Sequence, residues 1–184
     1  YFILGIVIAH VTAKPYDVAL RERILDQLGL ENTGYDHNES VIPRMASGYQ
    51  RMPGGYQRAP FLDSNQPYAA GMLYSTTGDL MKWTRALHAG KVFKNAETLR
   101  RMITPFMDNY GYGLQIMNLP AGVDSVRVIR HSGGINGFTS QLWYLPDGEY
   151  TIVTLDNTTA NSGIVADAAF RLLHGLDVPE PRMP

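Results

Sequence analysis

The sequence predicts an α+β fold, with helices first and an antiparallel sheet after them. Two observations carry this: apolar residues recur at helical spacing up to about residue 105, and from about residue 110 the period changes to two. A third is the Pro146-Asp147-Gly148 turn signal between two alternating runs, which pairs them as an antiparallel hairpin.

The opening run, Tyr1 to Val11, is apolar on nearly all sides, so a buried helix is expected there. It is shorter than the roughly 20 residues that cross a bilayer. Neither a basic stretch before it nor a small-residue cleavage site after it marks a signal peptide. A buried helix at the first residue reads as a truncation. Pro15 suits the first turn of a second helix, in which Leu20, Ile24 and Leu28 make an apolar face and Gly29 is the stop. Residues 31–70 have no sustained period and read as one long irregular stretch, of the kind that usually shapes a site.

Thr76 and Asp79 have capping-box spacing, and Leu80, Trp83 and Leu87 mark the face of the helix that follows, with Gly90 closing it. Asn95 opens a short helix with Leu99, Met102 and Ile103 inward and Pro105 at its end. Four strands are expected at 110–117, 125–131, 138–145 and 150–156, the glycine-rich stretch 133–137 joining the second to the third. A last helix, 161–174, should turn Ile164, Val165, Ala168 and Leu172 inward, and the tail Val178-Pro179-Glu180-Pro181 should fray.

A formal charge of −1 without a run of like charges gives no footprint for nucleic acid or an anionic membrane. The absence of cysteine removes disulfides, thiolate metal sites and a cysteine nucleophile, but assigns no compartment. The histidines at 10, 37, 88, 131 and 174 are scattered singly, so no metal site is expected, and no cofactor is implied. There is no Gly-x-x-x-x-Gly-Lys-Ser/Thr, no Gly-x-Ser-x-Gly and no Tyr-x-Asn. Lysines 14, 82, 91 and 94 follow Val11, Asp79, His88 and Lys91 at a distance of three, so Ser-x-x-Lys is missing too. What remains is His131-Ser132-Gly133-Gly134, at a strand end entering a glycine-rich turn. Taken alone it fits a solvated histidine as well as a functional one.

Several segments, in order along the chain, resemble the serine β-lactamase-like family of penicillin-binding-protein-related hydrolases. His131-Ser132-Gly133-Gly134 is similar to the family's Lys-Thr-Gly or His-x-Gly strand, and Leu145-Pro146-Asp147-Gly148 with Ile152 to Asn157 resembles its final hairpin. Ala69 to Leu80 looks like the small-Gly-Gly-Leu-x-Ser-Thr-x-x-Asp-Leu segment, and Tyr110-Gly111-Tyr112-Gly113-Leu114 like the Tyr-Gly-x-Gly strand. Tyr1 to Gly5 and Leu28 to Gly34 resemble the helix after the catalytic tyrosine and the Pro-Leu-Gly-Met-x-x-Thr turn.

The resemblance implies the C-terminal part of a β-lactamase/transpeptidase-like fold. Residues 1–105 would be part of a helical lobe, and 106–184 the antiparallel sheet and C-terminal helix of the same domain. It implies acyl transfer by a serine outside these residues, on an ester, amide or β-lactam carbonyl of a small-molecule or peptide substrate. Gly134 stands at the position whose N–H helps form the oxyanion hole, Gly133 lets the strand approach substrate, and Ser132 lies between them and His131. His131 takes the lysine position; an imidazole lacks the fixed charge suited to a β-lactam carboxylate, which favours esterase or D-amino-acid peptidase chemistry. Tyr74 and Tyr112 are expected at the pocket's border, with packing as the alternative for each. The nucleophile would come from a missing N-terminal portion or a swapped copy, a homo-oligomer being one outcome. A periplasmic or secreted location is favoured over a cytoplasmic one. The competing expectation is a non-catalytic remnant that uses the fold for binding or assembly. Without partner strands the sheet should show an unpaired edge and an uncovered apolar face.

Overall fold

A computed structural model describes residues 1–160 and 162–180. The architecture is α+β. Helix α1 (Phe2–Thr12) is followed by α2 (Tyr16–Leu28), then the short strands β1 (Gly34–Tyr35), β2 (Tyr49–Met52), β3 (Gly55–Arg58) and β4 (Leu73–Tyr74). Helices α3 (Thr77–His88) and α4 (Ala96–Met102) precede β5 (Gln115–Ala121), β6 (Asp124–Ile135), β7 (Phe138–Leu145) and β8 (Tyr150–Asp156), and α5 (Ser162–Leu173) follows them. Strands β5 to β8 form one antiparallel meander in chain order. Among the described residues no single helix is long and apolar enough to cross a membrane.

The core lies between this sheet and α5. Alternation on the strands turns Val128, Trp143, Leu145 and Ile152 to one face, where Ala166 and Phe170 of α5 meet them. Arg130 lies over the Trp143 ring, 4.9 Å from its centroid, closing the edge of that core. The opposite face carries Ile129 and Tyr144 as a cross-strand pair, and His88 of α3 stacks on Tyr144 with ring centroids 3.7 Å apart. Helix α5 therefore packs on one side of the sheet and α3 on the other.

Asp79 ties α3 to the chain that follows α2. Its buried carboxylate accepts from the Asn32 N–H at 2.8 Å, the Thr33 hydroxyl at 3.0 Å and the Lys82 ammonium at 3.3 Å. Half of the expected capping box forms: Thr76 Oγ1 accepts from the Asp79 N–H at 3.3 Å, but the Asp79 side chain is committed to residues 32 and 33.

Several expectations are corrected. Helix α1 is not buried: Ile3 and Val11 are each 72% exposed, and Gly5 is its one buried residue. The helix meets the rest of the chain closely at Gly5, where a Cβ would strike Ala69 and the Tyr68 ring, and Phe2 packs on Tyr68 with ring centroids 5.1 Å apart. In α2 a π-helical turn over Arg21–Leu25 breaks the i, i+4 spacing, so Ala19 and Leu25 are buried and Leu20, Ile24 and Leu28 only partly so. Helix α5 buries Ala166 and Phe170, four apart, and leaves Ile164, Val165 and Leu172 exposed. The expected first residue of that helix, Asn161, lies outside the described residues, as does Pro181 of the tail.

The 31–70 stretch is less irregular than its composition suggests, because Pro53-Gly54 turns β2 back onto β3. The first strand of the large sheet starts at Gln115 rather than 110, and β6 runs on through His131, Ser132, Gly133 and Gly134 to Ile135. The link to β7 is thus the two residues Asn136-Gly137. The outer edges of β5 and β8 have no strand partner among the described residues. Beside β8 an open cleft is lined by Thr77, Met81, Ile152, Val153, Ala169 and Leu172, with no titratable side chain on its walls.

Burial pushes His88 down from 6.5 to about 4. The unfolded chain then takes up this proton at higher pH than the folded one, so the stabilisation is complete above pH 6.5 and is lost as the pH falls toward 4. The urea midpoint should fall between pH 7.5 and 4.5, and fall less in His88→Phe, which keeps a ring on Tyr144 but has no proton to accept. Identical pH slopes for the two proteins would contradict this assignment.

Candidate active site

The candidate site is the far end of β6. Its geometry follows from the turn after it: Gly137, at φ 76°, allows a two-residue hairpin that sets Ile135 opposite Phe138. A Cβ on Gly137 would also run into the Gly48 backbone and Ala59, so two constraints require glycine there. Counting back from the turn, Gly133 lies opposite Ser140 and His131 opposite Leu142, while Gly134 and Ser132 lie opposite Thr139 and Gln141. In an antiparallel ladder closed by a two-residue turn, pairs alternate between bonded and non-bonded. The main-chain groups of Ser132 and Gly134 therefore point away from β7. On that side β5 pairs with β6 only as far as Arg130, opposite Gln115. The Gly134 N–H thus faces an edge that no strand covers among the described residues.

His131 and Gly133 share the sheet face on which α3 packs, and Ser132 and Gly134 share the other. The His131 imidazole is exposed, and its Nε2 lies 2.8 Å from the Tyr110 hydroxyl. The two glycines are needed for different reasons. A Cβ at Gly133 would sit 2.5 Å from Ser140 Oγ, whereas one at Gly134 would meet nothing within 4 Å. Gly133 is thus a glycine that Ser140 requires, and Gly134 one with open space where a Cβ would stand.

Tyr74 pairs with Gly34 in the small β1–β4 sheet, and its phenol covers that glycine, 2.6 Å from where a Cβ would stand. Tyr112 is 68% exposed, with its N–H held by the Met102 carbonyl at 3.0 Å. The residue that sequence reasoning missed is Tyr110. It stands in the Tyr-Gly-x-Gly segment, which was read as strand, so its side chain was given no task. Burial first, and then the neighbouring Tyr1 phenol, push Tyr110 up to about 12.

Comparison with known proteins agrees with this architecture. The family model described as Beta-lactamase matches residues 1–176. PbpX of Bacillus subtilis, named as a penicillin-binding protein, is 26% identical over 95% of this chain and 43% of its own length. Among solved structures, a D-stereospecific amidohydrolase from Streptomyces superposes with a TM-score of 0.78 at 29% identity, over 90% of this chain and 51% of that one. The octameric penicillin-binding protein homologue from Pyrococcus abyssi superposes with a TM-score of 0.81 at 24% identity, over 96% and 42%. The chain spans about half the length of the proteins it matches or less.

Gly133→Ala should lower stability by about 1 kcal/mol through the contact with Ser140 Oγ. Ser140→Ala in the same chain should restore most of that loss, as read by urea denaturation. A double variant no more stable than Gly133→Ala would contradict the contact.

Proposed function

The chain belongs to the Beta-lactamase family, and from that premise we propose that it forms one wall of a serine-hydrolase site acting through an acyl-enzyme. The observation that carries this reading is the Gly134 amide at a strand edge uncovered among the described residues, with no side chain of its own and open space where a Cβ would stand. A serine Oγ approaching from that edge attacks the carbonyl carbon of an ester or amide. The carbonyl oxygen takes on negative charge and accepts from the Gly134 N–H. Collapse expels the alcohol or amine and leaves the acyl group on serine, and water then releases the acid. One such fixed donor is worth about 3 kcal/mol of transition-state stabilisation.

No Ser-x-x-Lys or Tyr-x-Asn occurs in these 184 residues. In this reading the nucleophile and its proton shuttle are therefore supplied by residues outside the sequence, from the same gene product or a second copy. His131 faces the substrate from the lysine position. An imidazole there, without the fixed charge of a lysine, favours esters and D-amino-acid amides or peptides over β-lactams bearing a carboxylate. The D-stereospecific amidohydrolase with the same fold supports that substrate class. Ser132, Gly133, Tyr112 and Tyr74 are assigned to substrate binding. A compartment outside the cytoplasm suits a substrate of the cell-wall peptide kind, as PbpX is named to bind penicillin.

In the full-length gene product, hydrolysis of a p-nitrophenyl ester of a short acid should fall by on the order of a hundredfold in kcat/KM on His131→Ala. An unchanged kcat/KM removes His131 from the site. No ester or D-amino-acid amide hydrolysis by the unaltered product would favour a binding or assembly role instead.

A further inference from the structure

The contact between Tyr110 and His131 has a definite chemical consequence, which rests on the reading of the β6 end as a carbonyl site. We infer that Tyr110 is a positioning residue: its phenol donates to Nε2 of His131, fixing the imidazole as the Nδ1–H tautomer and leaving that N–H to face the substrate. The two groups are 2.8 Å apart, with rings at 72° and centroids 5.9 Å apart, so the hydroxyl meets the ring edge rather than its face. A phenol is the stronger acid of the two and an imidazole nitrogen the better acceptor, which sets the direction of the bond. Burial, and then a side-chain hydrogen bond with Tyr1, hold Tyr110 above the ordinary phenol range; its single proton goes to Nε2, and the Tyr1 hydroxyl donates to its oxygen.

The main chain holds Tyr110 in place independently of this bond. Its N–H donates to the Met107 carbonyl at 2.8 Å, and its carbonyl accepts from the Phe106 N–H at 2.9 Å. The turn between them uses left-handed backbone at Asp108 and Asn109, two residue types that tolerate it. The next residue approaches so closely that a Cβ on Gly111 would strike the Met102 carbonyl. On the far side, Tyr1 Oη lies 3.4 Å from where a Cβ on Gly113 would be, which packs Tyr1 against the same turn. The phenol is thus presented from a fixed loop to a fixed strand. Only Nε2 of the imidazole is engaged by a described residue, and Nδ1 is left open.

The test is the tautomer itself. The full-length gene product, labelled with 15N in histidine, is examined by long-range proton–nitrogen NMR, at a pH where its imidazoles are neutral. His131 is assigned by its loss in His131→Gln. The expected result is an unprotonated Nε2 and a protonated Nδ1, with Tyr110→Phe shifting the ring toward the Nε2–H form. The same variant should lower kcat for the p-nitrophenyl ester by roughly tenfold to a hundredfold, with KM nearly unchanged. Nε2–H in the unaltered protein, or a tautomer that Tyr110→Phe does not move, overturns the inference. If Tyr110→Phe fails to fold by circular dichroism, the tautomer of the unaltered protein decides alone. The two readings fail separately. A His131→Gln variant with full activity removes His131 from the carbonyl site while the tautomer result stands. An inactive His131→Gln beside an unmoved tautomer removes only the role of Tyr110.

Discussion

The two-residue Asn136-Gly137 turn is the constraint on which the rest of the site depends. It fixes the register of β6 against β7, and register in an antiparallel pair decides two things at once: which face each side chain takes and which way each amide points. A slip of one residue would put His131 on the α5 face and turn the Gly134 N–H into the ladder. The turn is defended on both counts, because Gly137 needs positive φ and has the Gly48 backbone and Ala59 against it. Those contacts also bring the base of the β2–β3 hairpin to this end of the sheet, where Asn136 Nδ2 donates to the Pro60 carbonyl at 3.3 Å.

The sheet itself is held by ordinary means. Val128, Trp143, Leu145 and Ile152 pack on Ala166 and Phe170, and each fully buried large apolar side chain contributes about 2 kcal/mol relative to exposure. The site is therefore built on the best-packed part of the chain, with His131 and Gly134 only a few residues beyond Val128 on the same strand. The helical part is held together by polar anchors, Asp79 to residues 32 and 33 above all, and His88 stacks on Tyr144 to join α3 to the sheet. Helix α1 adds the Gly5 contact and the Phe2–Tyr68 ring pair, and Ile3, Leu4 and Val11 of its remaining apolar surface are exposed.

How much of this was legible in the sequence depended on how local the determinants are. Strands β7 and β8 were read to the residue, because alternation and the Pro146-Asp147-Gly148 turn are contained within them. The α+β order and the strand bearing His131 were legible for the same reason. The ends of β5 and β6 were not. Glycines at 133 and 134 look like a loop by composition, yet one is there to spare Ser140 and the other stands at an open edge, and both facts depend on a partner strand. The inward faces of α2 and α5 were misread, since a π-helical turn and the choice of Phe170 over Leu172 are decided by packing. Tyr110 was missed because its partner is 21 residues away and its loop turns on left-handed Asp108 and Asn109.

The central claim, that the edge of β6 grips a carbonyl oxygen, is tested most directly by a crystal structure of the full-length gene product with an arylboronic acid, which forms a tetrahedral adduct on an active serine. The account predicts an adduct in which one boronate oxygen lies within hydrogen-bond distance of the Gly134 nitrogen, with the aryl group on the His131 side. An adduct whose oxygens are all held elsewhere, with the Gly134 amide left facing solvent, would contradict it.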